Sequence, residues 1–199
     1  MSEKLSGFRM PGEWEPQKSV WIAWPYNKND WPGLYKLIPD VILEIIYKIS
    51  KHQKVNLIIN SKIENIKKIL KLSKIKNISF HRIKTDRIWL RDSGPIFLTN
   101  KKYKKKIILN FVFNGWAKYK NYKNDNKIND KLSKIVKLKK INPTIKKNGK
   151  SRKVIMEGGA FDVNGAGTIL LTEECLLSKI QERNKKFNKK DYELSLIHI

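Results

Sequence analysis

The sequence predicts an α/β fold, because segments with helical periodicity alternate with strand-like segments along a chain of 199 residues. Apolar residues recur at three- and four-residue spacing in "WPGLYKLIPDVILEIIYKIS", which is typical of an amphipathic helix. Short apolar runs such as "VNLIIN" are typical of buried strands. The Asn-Gly turn in "FDVNGAGTILL" is typical of a hairpin. Together these observations favour mixed sheets separated by single helices.

In the first half of the chain, the periodicity predicts a helix over 34–49 and a strand over 55–60. Ser61 and Glu64 form a capping box, which predicts that a second helix begins there. The run "NISFHRI" is expected to form a second strand.

In the second half, "PIFLT" and "KIILNFVF" predict a pair of strands, and a lysine-rich helix is expected near 126–138. The segment "KVIMEGGAFDVNGAGTILLT" is expected to give a strand, a Gly pair, a strand, a turn and a strand. A helix over "EECLLSKIQERN" is expected to follow. This order is not that of a simple βαβ series, and it hints at a repeated small α/β unit.

The net charge of +25 is diffuse and consists mostly of lysine. Of the 43 basic residues 37 are Lys and 6 are Arg, and Lys, Ile and Asn together make up 82 of the 199 residues. Such a composition is typical of an A+T-rich genome that writes lysine at tolerant surface positions. Base-reading interfaces favour arginine, and no nucleic-acid-binding motif is present. We therefore expect no specific nucleic-acid binding.

The cysteine count and the hydropathy pattern favour a cytoplasmic protein. Cys175 is the sole cysteine of the sequence, so an internal disulfide is impossible. No apolar run approaches the roughly 20 residues that a membrane helix needs. The first residues contain no apolar centre of a signal peptide. We expect a soluble cytoplasmic protein with no membrane partner.

Three segments, 10–25, 86–95 and 156–168, are unlike the rest of the scaffold. In two of them a carboxylate immediately precedes a Gly-containing turn, namely Asp92 before Ser-Gly and Glu157 before Gly-Gly. Small residues let the backbone come close to a ligand, and buried carboxylates are costly unless they are paired. Two such carboxylates at strand ends therefore suggest a cationic ligand.

Structural interpretations of the same residues stay open at this point. Arg91 and Asp92 are consistent with an ion pair, and Glu157 is consistent with a cap on neighbouring backbone. A dinucleotide site is disfavoured because "GGAFDVNG" lacks the G-x-G-x-x-G pattern at the start of a helix.

Four composite motifs, in order along the chain, resemble the agmatine deiminase family of guanidine-group-modifying enzymes. They are "EWEP…VWIAWP", "DRIWLRDSGPIF", "FNGWAKY" and "EGGAFDVNGAGTILLTEECLL". The resemblance implies a pentein-type α/β propeller of five ββαβ-like modules, of which this chain would supply about two to three. It implies that residues 1–193 are the amino-terminal part of a single propeller domain. Residues 194–199, "LSLIHI", are unlike the family and are expected to be a non-native or truncated tail.

The resemblance also implies a reaction and its residues. The family hydrolyses a guanidinium to a ureido group and ammonia, and agmatine gives N-carbamoylputrescine on the route to putrescine. Asp92 and Glu157 match the catalytic carboxylates that contact the substrate guanidinium, and Trp89 matches a residue that lines the pocket. Arg91 is expected to be structural. The resemblance implies no metal and no cofactor, and it allows a homo-oligomer for a full-length enzyme.

The family's cysteine nucleophile and its G-H-x-D histidine have no counterpart in the 199 residues. We expect Cys175 to belong to the scaffold, and His52, His81 and His198 to be structural or solvated. This chain is therefore expected to be inactive on its own. The alternatives are a non-catalytic guanidinium-binding module, a peptidyl-arginine deiminase-like activity and a basic protein associated with nucleic acid.

Overall fold

In the computed structural model, the residues described are 5, 7–60, 66–102, 104–147 and 149–196. They form two compact units. One is Pro16–Leu90, here called the parallel unit; the other, here called the hairpin unit, consists of the described residues before and after it. Both combine sheets with helices, which confirms the predicted α/β class. Over the described residues, no helix has the length and apolar composition needed to span a membrane.

The parallel unit is built on a three-stranded parallel sheet of β1 (Ser19–Ala23), β2 (Lys54–Ile59) and β3 (Ile78–Arg82), in that order. Helices α1 (Ile38–Ser50) and α2 (Ile66–Ser73) provide the crossovers that parallel strands require. The central strand β2 is buried over all but its first residue, as its continuous apolar run predicted. The fully or nearly fully buried core of this unit consists of Trp24, Ile46, Val55, Leu57, Ile59 and Ile69.

One expectation for this part of the chain was wrong. The segment 10–25 was set apart from the scaffold, but it contains β1, in which Trp21 pairs in register with Asn56 of β2. The parallel unit is a βαβαβ series, of which the sequence predicted every element except β1. A five-residue strand flanked by tryptophans and prolines carries too short a periodic signal to stand out.

Helix α1 begins at Ile38 rather than at residue 34. Pro39 occupies the first turn, where its fixed φ and its missing N–H are tolerated. The residues before it form tight turns, in which Leu34 donates to the Trp31 carbonyl at 3.1 Å and Leu37 donates to the Leu34 carbonyl at 3.0 Å. The predicted capping box at Ser61 and Glu64 lies outside the described residues.

A buried ion pair within the parallel unit gives a first testable prediction. Arg87 donates to Asp30, whose side chain has no exposed surface. Burial raises the pKa of Asp30, and Arg87 acts in the opposite direction. Arg87→Met is expected to destabilise the protein by about 3–5 kcal/mol at neutral pH, because it leaves a buried carboxylate without its counter-charge. Urea unfolding measures this loss.

The pH dependence identifies the cause of that loss. Because the pKa of Asp30 is raised in the folded state, ionised Asp30 lowers the free energy of unfolding. This loss of stability is absent at pH values well below 3.8, the ordinary pKa of Asp, and grows as the pH rises. The deficit of Arg87→Met should therefore shrink as the pH falls. Lys48→Met is the matched control, because Lys48 pairs with Glu44 across an exposed helix face. A deficit independent of pH would show that Arg87 acts through packing alone.

The hairpin unit begins with the order strand, strand, helix, strand. β4 (Ile96–Asn100) pairs antiparallel with β5 (Lys105–Leu109), and β5 pairs parallel with β6 (Lys140–Ile141) after helix α4 (Ile128–Val136). The hairpin and α4 lie where the sequence predicted them. Side chains of β4 alternate between buried and partly exposed, as expected for a strand with one face on a core.

Two further hairpins and two helices complete this unit. β7 (Thr144–Lys147) pairs with β8 (Lys150–Lys153), and β9 (Phe161–Val163) pairs with β10 (Ile169–Leu171). The β9–β10 turn is held by Asn164, whose side-chain oxygen accepts from the backbone of Ala166 and Thr168, at 2.8 and 3.0 Å. The core residues include Leu98, Leu109, Phe111, Val154, Met156, Phe161, Leu176 and Tyr192.

The end of the chain differs from the predicted single helix over "EECLLSKIQERN". Helix α5 (Glu173–Leu177) stops at Ser178, which is extended (φ −64°, ψ 132°). Helix α6 (Lys189–Leu196), which was not predicted, follows and buries Leu196. The predicted boundary at 193/194 therefore falls inside a helix; the origin of residues 194–199 stays a prediction.

Candidate functional site

Asp92 and Glu157 lie on two segments of the hairpin unit that touch each other. Asp92 belongs to the helical turn α3 (Leu90–Ser93), and Glu157 immediately precedes a single 3-10 turn, Gly158–Ala160. The backbone N–H of Gly159 donates a hydrogen bond to the Asp92 carboxylate. A Cβ at Gly159 would overlap that carboxylate, so the close approach requires glycine at this position.

The Asp92 carboxyl group is half-buried and close to a second negative charge. Burial raises the pKa of Asp92, and the negative charge of Glu157 raises it further. The Gly159 N–H, the charge of Arg91 and a hydrogen bond from the Trp116 side chain act in the opposite direction without cancelling the rise. The structure therefore brings Asp92 and Glu157 near enough to repel each other.

Glu157 is almost completely buried, with 2% of its surface exposed. Its Oε1 accepts a hydrogen bond from Nε of Arg183 at 2.7 Å, and the Arg183 side chain is equally inaccessible. Its Oε2 is buried without a hydrogen-bond partner among the described residues. One oxygen of Glu157 is thus committed to the protein, and the other retains its capacity to accept.

Trp116 is a residue of this site that the sequence analysis did not single out. Its side chain donates to Asp92, and its ring packs edge-on against Phe113 with centroids 5.0 Å apart. Gly115, Trp116 and Ala117 have successive positive φ angles of 67°, 61° and 57°. Left-handed backbone at two non-glycine residues costs roughly 1–3 kcal/mol each and is concentrated at functional sites. The motif "FNGWAKY" was noticed, but this backbone conformation cannot be read from it.

The two structural interpretations of the sequence analysis do not describe what is found. Arg91 forms its ion pair with Glu13, and both side chains are about half-exposed. Glu157 pairs with Arg183 and makes no side-chain cap on the turn that follows it. The pairing of Arg91 with Glu13 agrees with the structural role expected for Arg91.

Trp89 lies in the parallel unit and is 40% exposed. Its ring packs in a tilted arrangement against that of Trp31, with centroids 5.7 Å apart and an interplanar angle of 45°. This contact fixes one side of the Trp89 ring within its own unit. The role of Trp89 as a residue that lines a substrate pocket stays a prediction.

The remaining candidate groups lie in scaffold surroundings. Cys175 is partly buried in α5 and packs against the apolar core of the hairpin unit. A ring nitrogen of His81 is 3.1 Å from Oδ1 of Asn56, and the His81 ring packs in a tilted arrangement against that of Trp21. His52 is exposed, and His198 lies outside the described residues. No group of three or more His, Cys, Asp or Glu side chains among the described residues is placed to hold a metal ion.

A sequence model of the Porphyromonas-type peptidyl-arginine deiminase family matches residues 9–199. A curated relative from Streptococcus mutans serotype c is 31% identical over 201 residues, which cover 96% of this chain and 50% of the relative. A second, from Enterococcus faecalis, is 29% identical over 199 residues. The chain spans about half the length of these relatives.

Two solved structures share this fold. The agmatine deiminase of Enterococcus faecalis is 28% identical and superposes with a TM-score of 0.80, over 97% of this chain and 50% of that one. A C. jejuni agmatine deiminase variant with substrate bound is 30% identical, with a TM-score of 0.77 over 95% of this chain and 52% of that one. These matches confirm the resemblance to agmatine deiminases that the motifs predicted.

Proposed function

Because the chain belongs to the Porphyromonas-type peptidyl-arginine deiminase family, we propose that Asp92 and Glu157 bind the guanidinium group of a small-molecule substrate. The observation that supports this proposal most directly is the approach of the two carboxylates, in which the charge of Glu157 raises the pKa of Asp92. Such repulsion is relieved when a cation lies between two carboxylates. We further propose that the substrate is agmatine and that the complete protein hydrolyses it to N-carbamoylputrescine and ammonia.

The charge balance of the site suits a monovalent cation. Asp92 and Glu157 contribute two negative charges, and Arg183 contributes one positive charge through its pair with Glu157. Arg91 forms its ion pair with Glu13, and the part of the chain that the structure describes contains no salt bridge from Arg91 to either site carboxylate. One net negative charge therefore remains, which a single guanidinium neutralises.

The hydrogen-bonding geometry suits a guanidinium better than a simple ammonium. A guanidinium is planar and carries N–H donors that point in several fixed directions. Oε2 of Glu157 and the Asp92 carboxylate can accept two of them, while Gly159 and Trp116 hold Asp92 in place. Two carboxylates on separate segments would fix the plane of the guanidinium and so decide which face a nucleophile meets.

In the proposed reaction a thiolate adds to the guanidinium carbon, ammonia leaves, and water hydrolyses the resulting covalent intermediate. Within this chain the carboxylates bind and orient the substrate. The nucleophile and the histidine that moves protons belong to motifs with no counterpart in the 199 residues. We propose no metal and no cofactor for this chemistry.

A non-catalytic guanidinium-binding module is the second candidate. The packing of Cys175 against the hairpin-unit core favours it, because that contact places the sole thiol of the sequence in the scaffold. A peptidyl-arginine substrate is the third, since it presents the same guanidinium. All three share the binding step, so binding is tested first.

Agmatine binding to the purified chain, measured by calorimetry, tests the proposal. We expect a dissociation constant of about 1 μM–1 mM, the range typical of enzyme substrates. 1,5-Diaminopentane is the matched control ligand, since it resembles agmatine but ends in an ammonium instead of a guanidinium. Agmatine should bind at least about tenfold more tightly. Equal binding of the two, or none of agmatine, would overturn the proposed function.

A further inference from the structure

We propose that Arg183 is a positioning residue that holds one oxygen of Glu157 and leaves the other oxygen free to accept from the ligand guanidinium. This inference rests on the function proposed above. It assigns a task to a residue outside the motifs from which the candidate site was predicted.

The ion pair between Arg183 and Glu157 engages only one of the two carboxylate oxygens. Nε of Arg183 donates to Oε1 at 2.7 Å, while Nη1 donates to the backbone carbonyl of Gln181. Arg183 therefore does not engage both oxygens of Glu157 in a fork. Oε2 has no hydrogen-bond partner among the described residues, although it is buried. A fully satisfied structural ion pair would occupy both oxygens.

Asn184, the residue after Arg183, is hydrogen-bonded to the segment that carries Glu157. Asn184 accepts from the N–H of Ile155 at 2.9 Å and donates to its carbonyl at 2.7 Å. The Asn184 amide also donates to the hydroxyl of Tyr192 at 3.0 Å. Because Ile155 lies two residues before Glu157, the two charged side chains are held on one rigid framework. Arg183 is thus held at a fixed position behind the Glu157 carboxylate.

The electrostatic surroundings of Glu157 explain why a cationic side chain lies next to it. Glu157 is buried beside the like charge of Asp92, so a counter-charge is needed next to it. The guanidinium of Arg183 supplies that counter-charge. Without Arg183 the Glu157 carboxylate would lose both its counter-charge and the hydrogen bond that fixes its orientation.

A specificity follows from the same geometry. Glu157 offers one oxygen to the ligand, so the ligand must reach Asp92 with a different donor. A planar group with divergent N–H donors, as in a guanidinium or an amidinium, meets this requirement. A primary ammonium has its donors on one atom and bridges the two carboxylates less well.

The test compares agmatine affinity at neutral pH in the wild-type chain, Arg183→Gln and Arg183→Lys. In Arg183→Gln, agmatine should bind roughly ten- to hundredfold more weakly. Arg183→Lys should recover part of the affinity, because a lysine still donates to Glu157. Arg9→Gln is the matched control, because it breaks an Arg–Glu pair of the same unit that touches neither site carboxylate; its affinity should match wild type.

An unchanged affinity in Arg183→Gln, or an equal loss in Arg183→Lys, would overturn the positioning role. If wild type itself binds no agmatine, the proposed function fails, and ligand-free crystal structures decide about Arg183. The Glu157 carboxylate should then leave its wild-type orientation in Arg183→Gln and keep it in Arg183→Lys. An unchanged orientation of Glu157 in Arg183→Gln would exclude the inference.

A double variant keeps the proposal testable if Arg183→Gln does not fold. If Arg183→Gln does not fold, the double variant Glu157→Gln/Arg183→Gln should, because it removes the buried charge as well as its partner. Failure of the double variant to fold would show that Arg183 acts through packing, and the proposal would be wrong.

Discussion

Asp92→Asn is expected to weaken agmatine binding and, at the same time, to stabilise the chain at neutral pH. The weaker binding follows from the removal of one of the two carboxylates proposed to hold the guanidinium. A charge-assisted hydrogen bond contributes about 1.5–3 kcal/mol, so affinity should fall by at least roughly tenfold. An amide in place of Asp92 also presents N–H donors to a ligand that has only donors to offer.

The gain in stability follows from the direction of the pKa shift. Burial and the charge of Glu157 raise the pKa of Asp92 above its ordinary value of 3.8. At pH values well below 3.8, Asp92 is protonated in both the folded and the unfolded state, so it does not change the free energy of unfolding. As the pH rises through the folded-state pKa, ionisation of Asp92 increasingly lowers that free energy. Asn carries no charge and avoids this loss of stability. A gain on the order of 1 kcal/mol is typical when an unfavourable charge is removed from a functional site.

Urea unfolding at several pH values, combined with calorimetry, checks both parts of this prediction. The stability advantage of Asp92→Asn should be full at neutral pH and should vanish as the pH falls below about 4. Wild-type affinity for agmatine should fall over the interval in which Asp92 takes up its proton. Asp162→Asn is the matched control, because Asp162 is exposed on β9. A destabilised Asp92→Asn, or one that binds agmatine as wild type does, would remove Asp92 from the proposed site.

The sequence predicted best the elements whose signals are local. β2 and the β4–β5 hairpin have clear apolar patterns, and the β9–β10 hairpin has an Asn-Gly turn whose side-chain hydrogen bonds the structure shows. β1 was missed because it is short and has tryptophans and prolines around it. The helix predicted over 173–184 ends at Leu177, where Ser178 becomes extended, and Arg183 beyond it pairs with Glu157.

The residues of the candidate site likewise differ in whether a local sequence signal predicts them. Asp92 and Glu157 could be named from motifs because each immediately precedes a Gly turn, and the structure places them within electrostatic reach. Arg183 could not be named, because its partner lies 26 residues earlier and an Arg in "QERN" is typical of a solvated helix face. Trp116 depends on positive φ angles at consecutive residues, which no local propensity predicts. Long-range pairing and strained backbone were therefore the parts that sequence patterns could not supply.

The 199-residue chain on its own is expected to release no ammonia from agmatine. Asp92 and Glu157 can bind and orient the guanidinium, but binding substrate and transition state equally well does not raise the rate of the chemical step. Attack on a resonance-stabilised guanidinium needs an activated nucleophile, and removal of a nucleophile commonly costs on the order of 10⁶-fold in rate. Binding without turnover is thus the expected combination.

Cys175 is the thiol that could contradict this prediction, since the sequence has no other. It sits in α5 and packs against the core of the hairpin unit, where a sulfur behaves as a small apolar group. Agmatine incubated with the purified chain should yield neither ammonia nor a ureido product above the rate without protein. Cys175→Ser, which preserves size, should leave agmatine affinity and the absence of turnover unchanged. Turnover in the wild-type chain that disappears in Cys175→Ser would make Cys175 a nucleophile and would show that the scaffold role assigned to it is wrong.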